Sequence, residues 1–144
     1  MLLFLLLAAA SGLMMAVQGS INGSLGKIIG VWQGNLLVHA IGLAAVLAIL
    51  LLSGGGKGDW SKISDVPWYL YSGGLINAAI IFAVMSSIAA LGAGKATSAI
   101  IVGQLSAALI IDAFGFFGLD KQPLTLMKGG GLILMLIGAR FILK

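Results

Sequence analysis

The sequence predicts an all-α integral membrane protein with five transmembrane helices. Three observations carry this. The 144-residue chain is 60% hydrophobic and only 8% charged, a balance far outside that of soluble domains. Its apolar residues form runs near the 20 or so that an α-helix needs to cross about 30 Å of hydrocarbon. The runs are separated by glycine, proline and charged residues, which mark the turns. The length fits one transmembrane domain over 1–144 and leaves no room for an additional soluble module.

The first run opens "MLLFLLLAAAS" and could be taken for a signal peptide. It lacks a basic start, and the apolar pattern continues to Val17, so it is expected to be a first span over about 2–24. The second span is expected over 31–52 and the third over 68–90. Between them lies the one substantial loop, "SGGGKGDWSKISDVP", aqueous by its glycines, charges and proline. The fourth span is expected over 96–117 and the fifth over 126–143. Short connections elsewhere imply an antiparallel hairpin bundle, because backbone polar groups in lipid must be satisfied within helices.

Five spans place Lys57, Lys62, Lys121 and Lys128 on one side of the membrane and Lys27, Lys95, Arg140 and Lys144 on the other. Orientation normally follows an excess of Lys and Arg on the cytoplasmic side. Four against four gives no such excess, so insertion in both orientations is expected, or else a partner or the free N-terminus decides it. The same cations sit singly at the ends of apolar runs, as interface anchors rather than a nucleic-acid surface.

Small residues recur where helices could approach closely: Gly12, Ala16, Gly19 and Gly23 on the first span, and Ala99, Gly103 and Ala107 on the fourth. The fifth opens with "GGG" and has Gly130 and Gly138 on one face, with no polar side chain from Gly129 to Ala139. That face suits contact with a second copy or packing within the chain.

Polar side chains interrupt the other four spans. Ser11, Gln18 and Asn22 form a narrow stripe on the first, since spacings of seven and eleven are close to whole helical turns. Trp32, Asn35, His39 and Gly42 align on the second, Asn77 follows Gly73 and Gly74 on the third, and Gln104 lies on the fourth. Such groups are costly against lipid and should face each other or a water-filled cavity. Gln18, Asn22, Trp32, Asn35, His39, Asn77 and Gln104 are therefore the candidate substrate-binding residues; interhelical hydrogen bonding alone is the other reading. His39 is the one interior side chain of a type that titrates near neutrality, a candidate proton-sensitive group or a neutral hydrogen-bonding one.

Asp112 is separate. It follows Gln104 by eight residues, about 12 Å along the helix axis and about 80° around it, so the two should not grip one small ligand. Near the helix end it is expected to act as a gate or to form an ion pair with Lys121 or Lys128.

Enzyme and metal chemistry find little footing. "LGAGKAT" resembles a phosphate loop only faintly, since Ala89 stands at the first glycine position and Ala96 where Ser or Thr would bind magnesium. With one histidine and no cysteine, no transition-metal cluster is expected, nor a cofactor. A Ser–His hydrolase lacks any supporting nucleophile motif.

Gln18 with Asn22, "GQL" at Gly103 to Leu105, "IDAFG" at Ile111 to Gly115 and the glycine-rich last span resemble the YdcZ-type family, a five-helix branch of the drug/metabolite transporter (DMT) superfamily. The resemblance covers nearly the whole chain and is most specific in "GQL…IDxFG". It implies a bacterial or archaeal inner-membrane protein similar to one half of a ten-helix transporter built from two inverted halves. It implies too an antiparallel homodimer, or pairing with a homologue. Related four-helix multidrug exporters use a glutamate on the first helix for proton-coupled cation export. Here that helix has Gln18 and no acid, so neutral, zwitterionic or anionic solutes are the more plausible cargo. The expected function is secondary transport, in the export direction, of a small solute by alternating access, with dimer contact through the fifth helix. A non-transporting subunit of a larger membrane complex and a lipid-carrier flippase are the alternatives.

Overall fold

The computed structural model describes residues 1–56 and 58–144, so Lys57 of the charge comparison lies outside the described residues. Five α-helices follow in order: α1 Leu2–Ile29, α2 Val31–Leu52, α3 Gly73–Leu91, α4 Ala93–Phe114 and α5 Leu126–Leu143. Each forms all or most of a segment long and apolar enough to cross a membrane, the third such segment running from Trp68 to Leu91. No strand occurs among the described residues.

Glycines set the boundaries, and they correct three of the expected ones. α1 continues past residue 24 to Ile29, since nothing in "LGKII" breaks a helix before Gly30. Gly30 has φ 94°, its N–H donates to Gly26 O at 3.0 Å, and its carbonyl accepts from Gly34 N at 2.9 Å. One residue thereby closes α1 and opens α2, a corner whose φ favours glycine. At 28 residues, α1 is about 42 Å long; it outruns the hydrocarbon and must tilt or project.

The third span opens as a 3-10 turn, Trp68–Ser72, after Pro67, and becomes α-helical only at Gly73. The fourth lies three residues earlier than expected, over 93–114 rather than 96–117. Gly92 (φ 83°) precedes it, and Gly115 (φ 67°) ends it as a left-handed cap whose N–H donates to Ile111 O at 2.8 Å. At α5, Thr125 Oγ1 accepts from Lys128 N at 3.2 Å, an N-cap bond.

The chain gathers into two compact units, Met1–Ala90 and Leu91–Lys144. In the first, α1 and α2 form a tight hairpin, and α3 lays two side chains into glycines. Ile88 fills the positions where Gly19 and Gly23 lack a side chain: a Cβ on Gly23 would stand 2.7 Å from Ile88 Cγ2 and 3.1 Å from Ile88 Cβ. Met85, fully buried, presses its methyl against Gly26 of α1 and Gly34 of α2. In lipid no water-driven force brings helices together, so such contacts must come from close van der Waals fit. In the second unit α4 and α5 form an antiparallel hairpin. The glycines of α5, and Gly103 of α4, have nothing within 4 Å of an added Cβ.

Gly23→Ala is expected to destabilise the folded protein by about 1–3 kcal/mol, the range for overpacking, because the β-branched Ile88 has little rotameric freedom to yield. Gly34→Ala crowds the flexible end of Met85, with Leu25 at ordinary contact distance, and Gly12→Ala meets open space, so both should cost less. Unfolding titrations in mixed micelles check the order; equal loss in all three variants would contradict it.

Candidate functional site

The interior polar groups of α2 and α3 form a continuous seam. Asn35 is buried and its Nδ2 donates to the carbonyl of Ala78 at 2.8 Å. One turn on, His39 Nδ1 lies 2.9 Å from Asn35 O. A carbonyl can only accept, so Nδ1 carries the proton. The other ring nitrogen, Nε2, lies 3.1 Å from Asn77 Nδ2, which can only donate. Both contacts agree on the neutral Nδ1–H tautomer, with Asn77 donating to Nε2. Trp32 stacks on Phe82 at 4.4 Å between centroids, extending the α2–α3 contact toward Gly30.

The seam unites four of the residues expected from sequence: Trp32, Asn35, His39 and Asn77. Two partners were not legible as site residues. Ala78 contributes only its backbone carbonyl, which carries no side-chain signal; Phe82 is the one aromatic residue in α3, and that was the signal available. Gln18 and Asn22, one turn apart on α1, line an open groove of about 460 Å³ with Leu13, Met14, Val17 and Ile21. Gln104 is exposed on α4 in the second unit and makes no side-chain hydrogen bond among the described residues.

Two buried polar atoms have no partner among the described residues: Asn22 Nδ2, a donor, and Asn35 Oδ1, an acceptor. An unsatisfied buried amide group costs about 1–3 kcal/mol, so both atoms invite a water or a ligand group. No charged side chain lies in the middle turns of any helix. Lys27, Lys95, Asp112, Lys128 and Arg140 all fall in first or last turns. Whatever polar recognition the interior offers is made by neutral amides and an imidazole.

The expected Asp112–Lys128 ion pair is not formed. Lys128 Nζ donates to Pro123 O at 3.0 Å, and the aliphatic stem of Lys121 lies against Gly115. Asp112 sits in the last turn of α4, and its backbone carbonyl accepts from Gln122 N at 2.9 Å, tying the α4–α5 loop to the helix end. Lys128 is engaged by the loop's own backbone, and the one ion pair among the described residues is Lys62–Asp59 at 3.9 Å, in the aqueous loop.

Asn77→Ala is expected to remove the donor to Nε2, lowering stability by about 0.6–2 kcal/mol, as for interhelical hydrogen bonds in membranes. Nitrogen NMR of the wild-type imidazole should show Nδ1 protonated and Nε2 bare, and Asn77→Ala should shift Nε2 more than Nδ1. A proton on Nε2 alone in the wild type would contradict the assignment.

Comparison with curated proteins and with solved structures found no match in either. Comparison with family models found one, described as "Putative inner membrane exporter, YdcZ", matching residues 3–141. That match reaches into all five helices and takes in every residue of the seam, and the chain belongs to the YdcZ family.

Proposed function

We propose that the protein exports a small solute by alternating access, as a secondary transporter working in an antiparallel pair. The observation that carries this reading is the distribution of polar side chains: α1 to α4 each place an amide or imidazole within a membrane-spanning segment, while α5 has no polar side chain from Gly129 to Ala139. A chain whose only task was to pack against a partner would have no use for costly groups at those depths. The family description, an inner membrane exporter, supports the direction.

In this reading the seam of Asn35, His39 and Asn77, with Gln18 and Asn22, contributes to a polar cavity near the membrane midplane, and Gln104 of the second unit is a further substrate-binding residue. Binding there, at the interface of inverted elements, is a general transporter device. Because the interior residues are uncharged amides and an imidazole, the cargo is neutral or zwitterionic, or an anion bound by hydrogen bonds. Asp112, near the α4 end and without an ion pair among the described residues, serves as a gate. The pair forms through α5, whose Gly130, Leu134, Gly138 and Phe141 fall within one broad face by the 100° helical step. Leu134 and Phe141 are both about 70% exposed. Balanced cations allow both orientations in one membrane, so the partner is a second copy or a homologue, and the pair supplies the inverted repeat of the DMT superfamily.

Proteoliposomes loaded with a mixture of neutral, zwitterionic and anionic metabolites test the function. Gradient-dependent loss of a defined solute, abolished in Asn35→Leu and reduced in Gln18→Leu, is expected. Absence of flux and of ligand stabilisation under proton and sodium gradients alike would favour a non-transporting subunit. Reporter fusions after Lys144 should give signal on both sides of the membrane; a single orientation in a chain expressed alone would refute dual insertion.

A further inference from the structure

We propose that the groove between α4 and α5 is a binding site for one anionic phospholipid, its acyl chain along the apolar wall and its phosphate held by Arg140 and Lys144. The groove, about 700 Å³, is walled by Ala99 and Val102 of α4 and Leu136 and Ile137 of α5. Its volume lies in the about 300–1,000 Å³ range of ligand sites. Arg140 and Lys144, one helical turn apart at the end of α5, line the same groove, and no carboxylate side chain does. Neither cation has a hydrogen-bond or ion-pair partner among the described residues.

Charge within this unit is sorted by end. Lys95, one turn before Ala99, adds a third cation at the Arg140 end of the antiparallel hairpin, and the first turn of α4 holds no acid. The acids of the unit, Asp112 and Asp120, belong to the opposite end. Asp112 is 17 residues from Lys95, about 25 Å along α4, well beyond the screening length of about 8–10 Å in physiological salt. The Arg140 end thus presents cationic side chains with no acidic side chain beside them, at the end of a membrane-spanning segment. Arginine also presents several N–H donors in a planar fork suited to phosphate. The groove is distinct from the α5 face assigned to pairing. Its α5 residues centre roughly 120° around the helix from Leu134, by the 100° step, so a lipid there and a second copy on α5 do not compete.

Native mass spectrometry of the purified full chain, delipidated and titrated with phosphatidylglycerol or phosphatidylcholine of identical acyl chains, tests the site. One phosphatidylglycerol per chain should be retained, with a raised melting midpoint, and phosphatidylcholine should do neither. Arg140→Gln with Lys144→Gln should weaken retention about thirtyfold, from the attraction of two cations to anionic lipid. The matched pair Lys121→Gln with Lys128→Gln, at the other end of the hairpin, should leave it unchanged. Equal retention of the two lipids, the same protection from inorganic phosphate alone, or equal loss in both double variants would overturn the proposal. The lipid comparison on the unaltered protein stands even if a variant fails to fold.

Discussion

The contact on which the first unit depends is the seating of Ile88 and Met85 in the glycines of α1 and α2. Soluble helices are driven together by the release of water from apolar surface. Inside a bilayer that force is absent, and association rests on how closely backbones and side chains can approach. Gly19, Gly23, Gly26 and Gly34 supply that approach to α3. Once α3 is docked, Asn35 reaches the Ala78 carbonyl and Asn77 reaches His39. The hydrogen bonds of the seam are too weak to assemble the helices alone; their geometry follows from packing made elsewhere.

This division of labour explains the two kinds of polar residue in the spans. Ser20 and Ser106 turn back onto carbonyls of their own helix, at Ala16 and Val102. Such bonds satisfy a hydroxyl without joining helices. Asn35 and Asn77 bond across helices and hold α2 and α3 in register. Asn22 Nδ2 and Asn35 Oδ1, buried without partners among the described residues, are the groups for which a rearrangement, a water or a solute would bring the largest gain. A transporter cycling between two states has a use for such groups, since each state can satisfy a different subset.

The span count was legible in the sequence because hydropathy over twenty residues is a strong signal. The second and fifth spans fall on the helices as found. The misplaced ends trace to particular glycines. Gly30, Gly92 and Gly115 take positive φ and mark true boundaries, whereas Gly26, Gly34 and Gly94 sit inside helices; composition alone cannot tell the two classes apart. The stripe on α2 was legible from the spacing of Trp32, Asn35 and His39. Its partners on α3 were harder, because a backbone carbonyl and a single Phe carry almost no periodic signal. The Asp112 ion pair failed for a local reason: the loop between α4 and α5 offers Lys128 a backbone carbonyl, a contact that charge patterning does not encode. The small-residue pattern of α1 correctly marked a close-packed face through Gly19 and Gly23, but the residues that fill it, Ile88 and Met85, look like any others in an apolar helix.

The central claim is that two copies pair with opposite orientation through α5. The absence of native cysteine makes it directly measurable, since one introduced cysteine carries the only spin label. With Leu126→Cys labelled at the start of α5 and the protein in nanodiscs, electron–electron distance spectroscopy reads the separation across the pair. An antiparallel pair puts the labels at opposite ends of an 18-residue helix, about 27 Å or more apart, whereas Leu134→Cys near the middle should give a short distance. Short distances at both positions would place the two copies parallel and contradict the account.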